Sequence, residues 1–318
     1  MLDLDRLRAL NAVAEYGSVS AAADVLGITT SAVSQQIAKL ERETASRLLE
    51  RSGRGVRLTD AAHLLVRHAE RILALVAEAE ADLEAQRGSV VGRLRVAAFP
   101  TAARGIMPRV LGDVAERHPQ LTTRLFEADP KVALPQVQRG EFDLAIVHDW
   151  QGSPLPIPDG LEKAPLLDDP AEVVLPAGHP LAGSSSVELT TLAEESWICA
   201  PPGDICQVWL TQRLRQSGVE PRIEHDVAEY PTQLAMVAAG LGIAILPRLG
   251  RGILPPAVVT VPVRPVLVRH LYVVWRAEAA RRPAVQAVVA AMRTAVANVE
   301  EPQMASPPSA ESAIDSAK

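Results

Sequence analysis

Apolar residues recur at helical spacing from the start of the chain, with Leu7, Leu10, Val13 and Ala14 on one face of a predicted helix over residues 4–15. Gly17 ends it, and Ser18 is a good cap for a second helix whose apolar face is Val19, Ala22, Ala23 and Leu26. Gly27 permits a tight turn. Thr29 then caps a third helix that turns Val33, Ile37 and Leu40 inward. Two short helices, a glycine turn and a longer third helix are the parts of a helix-turn-helix. A further helix is predicted from Thr59-Asp60 to about Arg87. Ala62, Leu65, Ala69, Ile72, Val76, Ala79 and Leu83 alternate there in steps of three and four, a heptad seam suited to pairing with a second copy.

After the short linker Gly88–Gly92 the pattern changes to alternating strands and helices. Strands are predicted at Leu94–Phe99, Leu121–Glu127, Asp143–Val147, Ala171–Leu175, Ser196–Ala200, Arg222–Ala228, Leu241–Leu246 and Leu267–Trp275. Helices fall at Arg104–Arg117, Lys131–Arg139, near 205–217 and 231–240, and at Pro283–Val299. Such alternation predicts an α/β half with mostly parallel sheets. The Ser/Ala/Pro-rich segment 299–318 has no periodicity and reads as disordered.

The outer face of the third helix carries Thr30, Ser31, Ser34 and Gln35 near its start and Lys39 and Arg42 further along. Short hydrogen-bonding groups followed by cations suit approach to base edges in a DNA major groove. The alternative is a plain solvated face, and the position within the motif favours DNA. Arg51-Ser52-Gly53-Arg54-Gly55 reads as a hairpin wing with arginines at its tip, suited to phosphates.

Charge and composition leave that reading intact. The net charge of −6 excludes a protein basic throughout, yet residues 39–57 hold six Lys and Arg against three Glu. Cys199 and Cys206 fit no disulfide framework and no zinc spacing. The N-terminus has no signal-peptide pattern and no run of residues is apolar enough for a membrane span, so a cytoplasmic protein is expected. No phosphate loop, HExxH, GxSxG or CxxC occurs, so neither an enzyme nor a cofactor or metal is expected.

The stretch LRALNAVAEYGSVSAAADVLGITTSAVSQQIAKLERETASRLLERSGRGVRLT resembles the winged helix-turn-helix of LysR-type transcriptional regulators, and GEFDLAIV, VVLPAGHPLA and VAAGLGIAILP resemble that family's effector domain. The resemblance spans roughly residues 3–298. It departs at Thr30 (usually Gln), at Thr44-Ala45 (usually Leu-Gly), at Leu49 (usually Phe) and at Asp60-Ala61-Ala62, which lacks the common Gly. It implies an N-terminal all-α winged helix-turn-helix (1–59) and a long linker or dimerisation helix (60–87). A hinge (88–92) would lead to an α/β two-lobed effector domain like type 2 periplasmic binding proteins (93–298). Lobe I would be 93–164 with 267–298 and lobe II 165–266, with crossovers near 163–168 and 262–267. The implied partners are double-stranded DNA, a small-molecule effector and one or three further copies of the chain, with RNA polymerase a further candidate. On that reading Thr30, Ser31, Ser34 and Gln35 contact bases, while Thr29, Lys39, Arg51 and Arg54 hold phosphates.

Ligands of such lobes sit beyond strand C-termini, which selects Pro100, Thr101, Ala102, His148, Pro201 and Gly203. Thr101 offers a hydroxyl, though it could simply cap its helix. His148 either reads a carboxylate or satisfies a buried turn. Prolines 201 and 202 remove two backbone donors. The thiols read as buried and inert.

Overall fold

The structure, a computed structural model, describes residues 2–52 and 55–300. The wing tip with Arg54 and the segment 301–318 lie outside the described residues. The chain divides into two compact units, residues 1–89 with 277–283, and 90–276 with 284–318.

The first unit begins with α1 (Leu4–Tyr16), α2 (Val19–Leu26) and α3 (Thr30–Thr44). Side-chain caps start each of them: Asp3 accepts from the amides of Asp5 and Arg6, Ser18 from Ala21, and Thr29 from Ala32. Gly17 and Gly27 end the first two in the left-handed region, at φ 69° and 66°. Leu7, Leu10, Val13, Ala22, Val33, Ile37 and Leu40 meet in one core. The hairpin β1 (Leu49–Ser52) and β2 (Gly55–Leu58) follows, with Leu49 opposite Leu58 and Ser52 opposite Gly55. Helix α4 (Asp60–Arg87) is capped by the Thr59 hydroxyl, which accepts from Ala62 and donates to the Arg47 carbonyl.

The heptad seam of α4 is divided. Ala62 and Ala69 are buried in this unit's own core, whereas Ile72, Ala79 and Leu83 are exposed, joined by Leu64 and Leu75. Near the end of the helix, Asp82 and Glu84 pair with Arg281 and Arg282 of this unit's second segment.

Helix α3 ends on Ala45 at φ 47°, the one described non-glycine residue with positive φ. This is the position where the resemblance leads one to expect Gly. A side chain in that region costs roughly 1–2 kcal/mol, partly offset by the backbone entropy that glycine loses on folding. Ala45→Gly is therefore expected to raise stability by about 0.5–1 kcal/mol, read as a higher thermal midpoint.

In the second unit the elements are β3 (Gly92–Ala98), α5 (Pro100–Gly105), α6 (Met107–Arg117), β4 (Leu121–Glu127), α7 (Pro130–Gln138) and β5 (Leu144–Trp150). Next come β6 (Leu161–Pro176), β7 (Val187–Glu188), β8 (Ser196–Cys199), α8 (Ile205–Gln216) and β9 (Arg222–Asp226). The unit closes with α9 (Tyr230–Ala238), β10 (Ala244–Pro247), α10 (Arg248–Arg251), β11 (Val258–Arg276) and α11 (Pro283–Glu300). The single helix expected at Arg104–Arg117 is two, because Pro108 has no N–H and clashes with the preceding turn, so it can only open a new helix.

The main sheet runs β10-β6-β11-β5-β3-β4. β3–β4 and β3–β5 are parallel in it, as is β7 where it pairs with β11, whereas β5–β11, β11–β6 and β6–β10 are antiparallel, so the sheet is more mixed than the alternation suggests. The long strands β6 and β11 pair from Leu161/Arg276 to Pro176/Val258, with a register break between Pro262 and Leu267 where Val263 turns to pair β7. They run through both lobes. One lobe packs around Ala97, Leu134, Val137, Ala145 and Val274. The other packs around Val173, Leu175, Trp197, Leu214 and Ile243. Trp150, at the end of β5, reaches into the second of these cores and stacks on Trp209 of α8 at 3.8 Å. The lobes are thus closed on one another at that point.

Candidate nucleic-acid interface and effector cleft

On α3 the apolar periodicity settles which face is free. Val33, Ile37 and Leu40 are 0–3% exposed, and Thr30, Ser31, Ser34, Gln35 and Lys39 are all exposed, as is Thr29 at the cap. The polar groups are not equivalent. The Ser34 hydroxyl donates to the Thr30 carbonyl at 2.9 Å, so it meets an incoming group only as an acceptor. The Thr29 hydroxyl accepts from Ala32, which leaves its proton to donate.

The carboxylates of the basic stretch are engaged internally. Glu41 accepts from the amides of Leu48 and Leu49 at 2.8 and 3.2 Å, tying the end of α3 to the hairpin. Glu43 pairs with Arg6, and Glu50 with Arg57 at 3.0 Å. The six Lys and Arg of residues 39–57 still outnumber its three Glu, and the stretch keeps a positive excess. Arg51 lies in β1 opposite Val56.

In the second unit, the strand ends chosen from sequence do not all converge. Thr101, Ala102 and His148 are buried, whereas Pro100, Pro201 and Gly203 are exposed. Gly203, at φ 86°, accepts from Lys131 of α7 through its carbonyl, a contact across the cleft mouth. Asp129 sits nearby. Burial and the charge of Asp204 push its carboxyl up, and Lys131 partly opposes them.

The floor of the cleft is organised by a residue that sequence reasoning missed. Arg269 of β11 is 1% exposed. Its Nη2 donates to Asp169 Oδ2 at 2.7 Å and to the Thr101 hydroxyl at 3.0 Å, and its guanidinium lies 5.1 Å from the Phe99 ring centre. His148 packs edge-on against Phe99, the ring centres 4.4 Å apart. Burial and then the Arg269 charge hold its imidazole well below the usual histidine range, so it is neutral, and its Nδ1 has no partner among the described residues. Being neutral, His148 meets a ligand as a hydrogen-bonding ring and not as a cation.

Beside this cluster a cavity of about 20 Å³ is lined by Trp150, Cys199, Cys206, Tyr230 and Gln233 among others, room for one water molecule. Cys206 Sγ lies 3.7 Å from the Tyr230 hydroxyl. Burial pushes the Cys199 thiol up to about 12 and the Cys206 thiol up to about 11, and both are protonated at neutral pH. A lone arginine inside the apolar run VLVRHLYVVW and the acidic pair in LLDDPAEVV were the available signals for Arg269 and Asp169. No periodicity joins them.

Residues 4–63 match the model described as bacterial regulatory helix-turn-helix protein, lysR family, and residues 87–297 match that of the LysR substrate binding domain. A probable RuBisCO transcriptional regulator from Cyanophora paradoxa is 31% identical over 248 residues, covering 76% of this chain and 75% of that protein. A probable hydrogen peroxide-inducible genes activator from Mycobacterium avium is 33% identical over 247 residues, 76% of each. Among solved structures, a full-length OxyR variant from Pseudomonas aeruginosa superposes with a TM-score of 0.69 at 22% identity, over 93% of this chain and 96% of that one.

Proposed function

We propose, for a chain that belongs to the lysR family of bacterial regulatory helix-turn-helix proteins, how its two units divide the work of a DNA-binding transcriptional regulator with an effector-binding domain. It acts by binding and not by catalysis. The first unit reads DNA through α3, with Thr30, Ser31, Ser34 and Gln35 at base edges and Thr29, Lys39, Arg51 and Arg54 on phosphates. The observation that carries this is the clean division of α3, with Val33, Ile37 and Leu40 inside and the polar row free. Two copies present their α3 helices to an inverted repeat, and the exposed apolar residues of α4 support pairing through that helix. The second unit senses a small molecule in the cleft floored by Thr101, His148 and Arg269, from within the cytoplasm. No helix among the described residues is long and apolar enough to cross a membrane.

Binding of the full-length protein to the region upstream of its own gene, followed by fluorescence anisotropy at several salt concentrations, tests the DNA reading. Gln35→Ala is expected to reorder affinities among operator variants, costing about 1–3 kcal/mol at the base it reads. Arg51→Ala should weaken every sequence alike and lower the salt slope by about 0.9. An unchanged slope would remove the wing from the interface, and a uniform loss on Gln35→Ala would remove base reading by that residue.

A further inference from the structure

The short link between α3 and the hairpin is organised by Glu41. Its main-chain carbonyl accepts from the amides of Ala45 and Ser46, and its carboxylate Oε1 accepts from those of Leu48 and Leu49 at 2.8 and 3.2 Å. Thr59 holds the same link from the other side. Its amide donates to the Leu48 carbonyl at 3.0 Å and its hydroxyl to the Arg47 carbonyl at 2.7 Å. Leu48 is 1% exposed and belongs to the core that holds Val33, Ile37 and Leu40. Ala45 and Arg47 are exposed, so hydrogen bonds more than packing keep the chain between helix and strand in place. The peptide that leads into β1 is thereby fixed to α3 on one side and to the cap of α4 on the other. A carboxylate at this point works against phosphates, because it stands in the positive stretch 39–57.

We propose that Glu41 is a positioning residue for DNA binding: by taking the Leu48 and Leu49 amides it sets the wing at a fixed place relative to the base-reading row of α3. That row, Thr30 to Gln35, lies at the start of the helix, whereas Arg51 follows Leu49 in β1 beyond its end. One duplex meets both only if the link between them holds its shape. A loose link is ordered afresh at every encounter, and the contact at its far end is weakened by that cost. Glu41 itself touches no DNA in this reading. It acts through Arg51, and what matters is its oxygen acceptor and not its charge. A glutamine amide oxygen reaches the same two amides without opposing the phosphates.

The inference rests on the proposed contact of the wing with phosphates, and a double-mutant cycle separates the two. The full-length wild type, Glu41→Ala, Arg51→Ala and the double variant are titrated by fluorescence anisotropy against the DNA upstream of the gene at several salt concentrations. Glu41→Ala should weaken binding about tenfold, the order of one charged hydrogen bond, and lower the salt slope by about 0.9, as Arg51→Ala does. In the Arg51→Ala background it should add nothing, because the contact it positions is already gone. Glu41→Gln should bind at least as tightly as the wild type, with the full slope. Glu41→Met, which keeps the apolar stem of the side chain, carries the same comparison if Glu41→Ala does not fold. An equal loss in both backgrounds, or an unchanged slope in Glu41→Ala, would assign Glu41 to the fold alone and overturn the inference while the wing contact stands. Glu41→Gln binding as weakly as Glu41→Ala would overturn it as well. If Arg51→Ala alone changes nothing, the wing contact fails and the inference falls with it.

Discussion

Replacing Arg269 with Met is expected to cost about 3–5 kcal/mol of folding free energy, read as a shift in the denaturant midpoint for the unit that holds the cleft. The cause is less the loss of a bond than what remains. Asp169 is 2% exposed, and without the guanidinium it is a carboxylate in an apolar interior with only the Leu249 amide beside it. The double variant Arg269→Met with Asp169→Leu removes both charges and should cost less than the single one. The remaining penalty, about 1–3 kcal/mol, is that of an orphaned Leu249 amide and a lost partner for Thr101. A double variant worse than the single one would show that the two side chains stabilise the fold independently and not as a pair.

The second large effect is expected on α4. Leu75 is 66% exposed and Leu83 57% exposed, and Leu64 and Ile72 are exposed along the same helix, an apolar row suited to burial against a second copy. Leu75→Asp combined with Leu83→Asp should yield a monomer by sedimentation. It should also lower operator affinity about a hundredfold or more, because two linked half-site contacts become one. Folding of each chain should be unaffected, since neither residue belongs to the core of the first unit. A double variant that stays dimeric and binds as before would place the pairing surface elsewhere.

The contrast between the two units follows from how far apart in sequence their interactions lie. In the first unit nearly every feature is local. Ser18, Thr29 and Thr59 cap helices three residues away, Gly17 and Gly27 end them, and the inward faces follow from steps of three and four. Such signals are printed in the sequence because a helix closes its hydrogen bonds within one turn. The free face of α3 was legible for that reason. What was not legible was the fate of Glu41, Glu43 and Glu50, which depends on the folded neighbours they meet.

The cleft is the opposite case. Thr101 comes from the first turn of α5, Asp169 from β6 and Arg269 from β11, and nothing local in any of them announces the others. The long strands β6 and β11 were read only at Ala171–Leu175 and Leu267–Trp275, because beyond those stretches prolines and charged residues break the alternation. The sequence by itself determined the family, the helix-turn-helix with its caps and free face, and the alternation of the second half. Only the tertiary structure decided which polar residues are buried together, which half of the α4 seam faces water, and that Arg269 is the floor of the cleft. Sheet register joins residues about a hundred positions apart, and burial at each of them is set by partners no local pattern encodes.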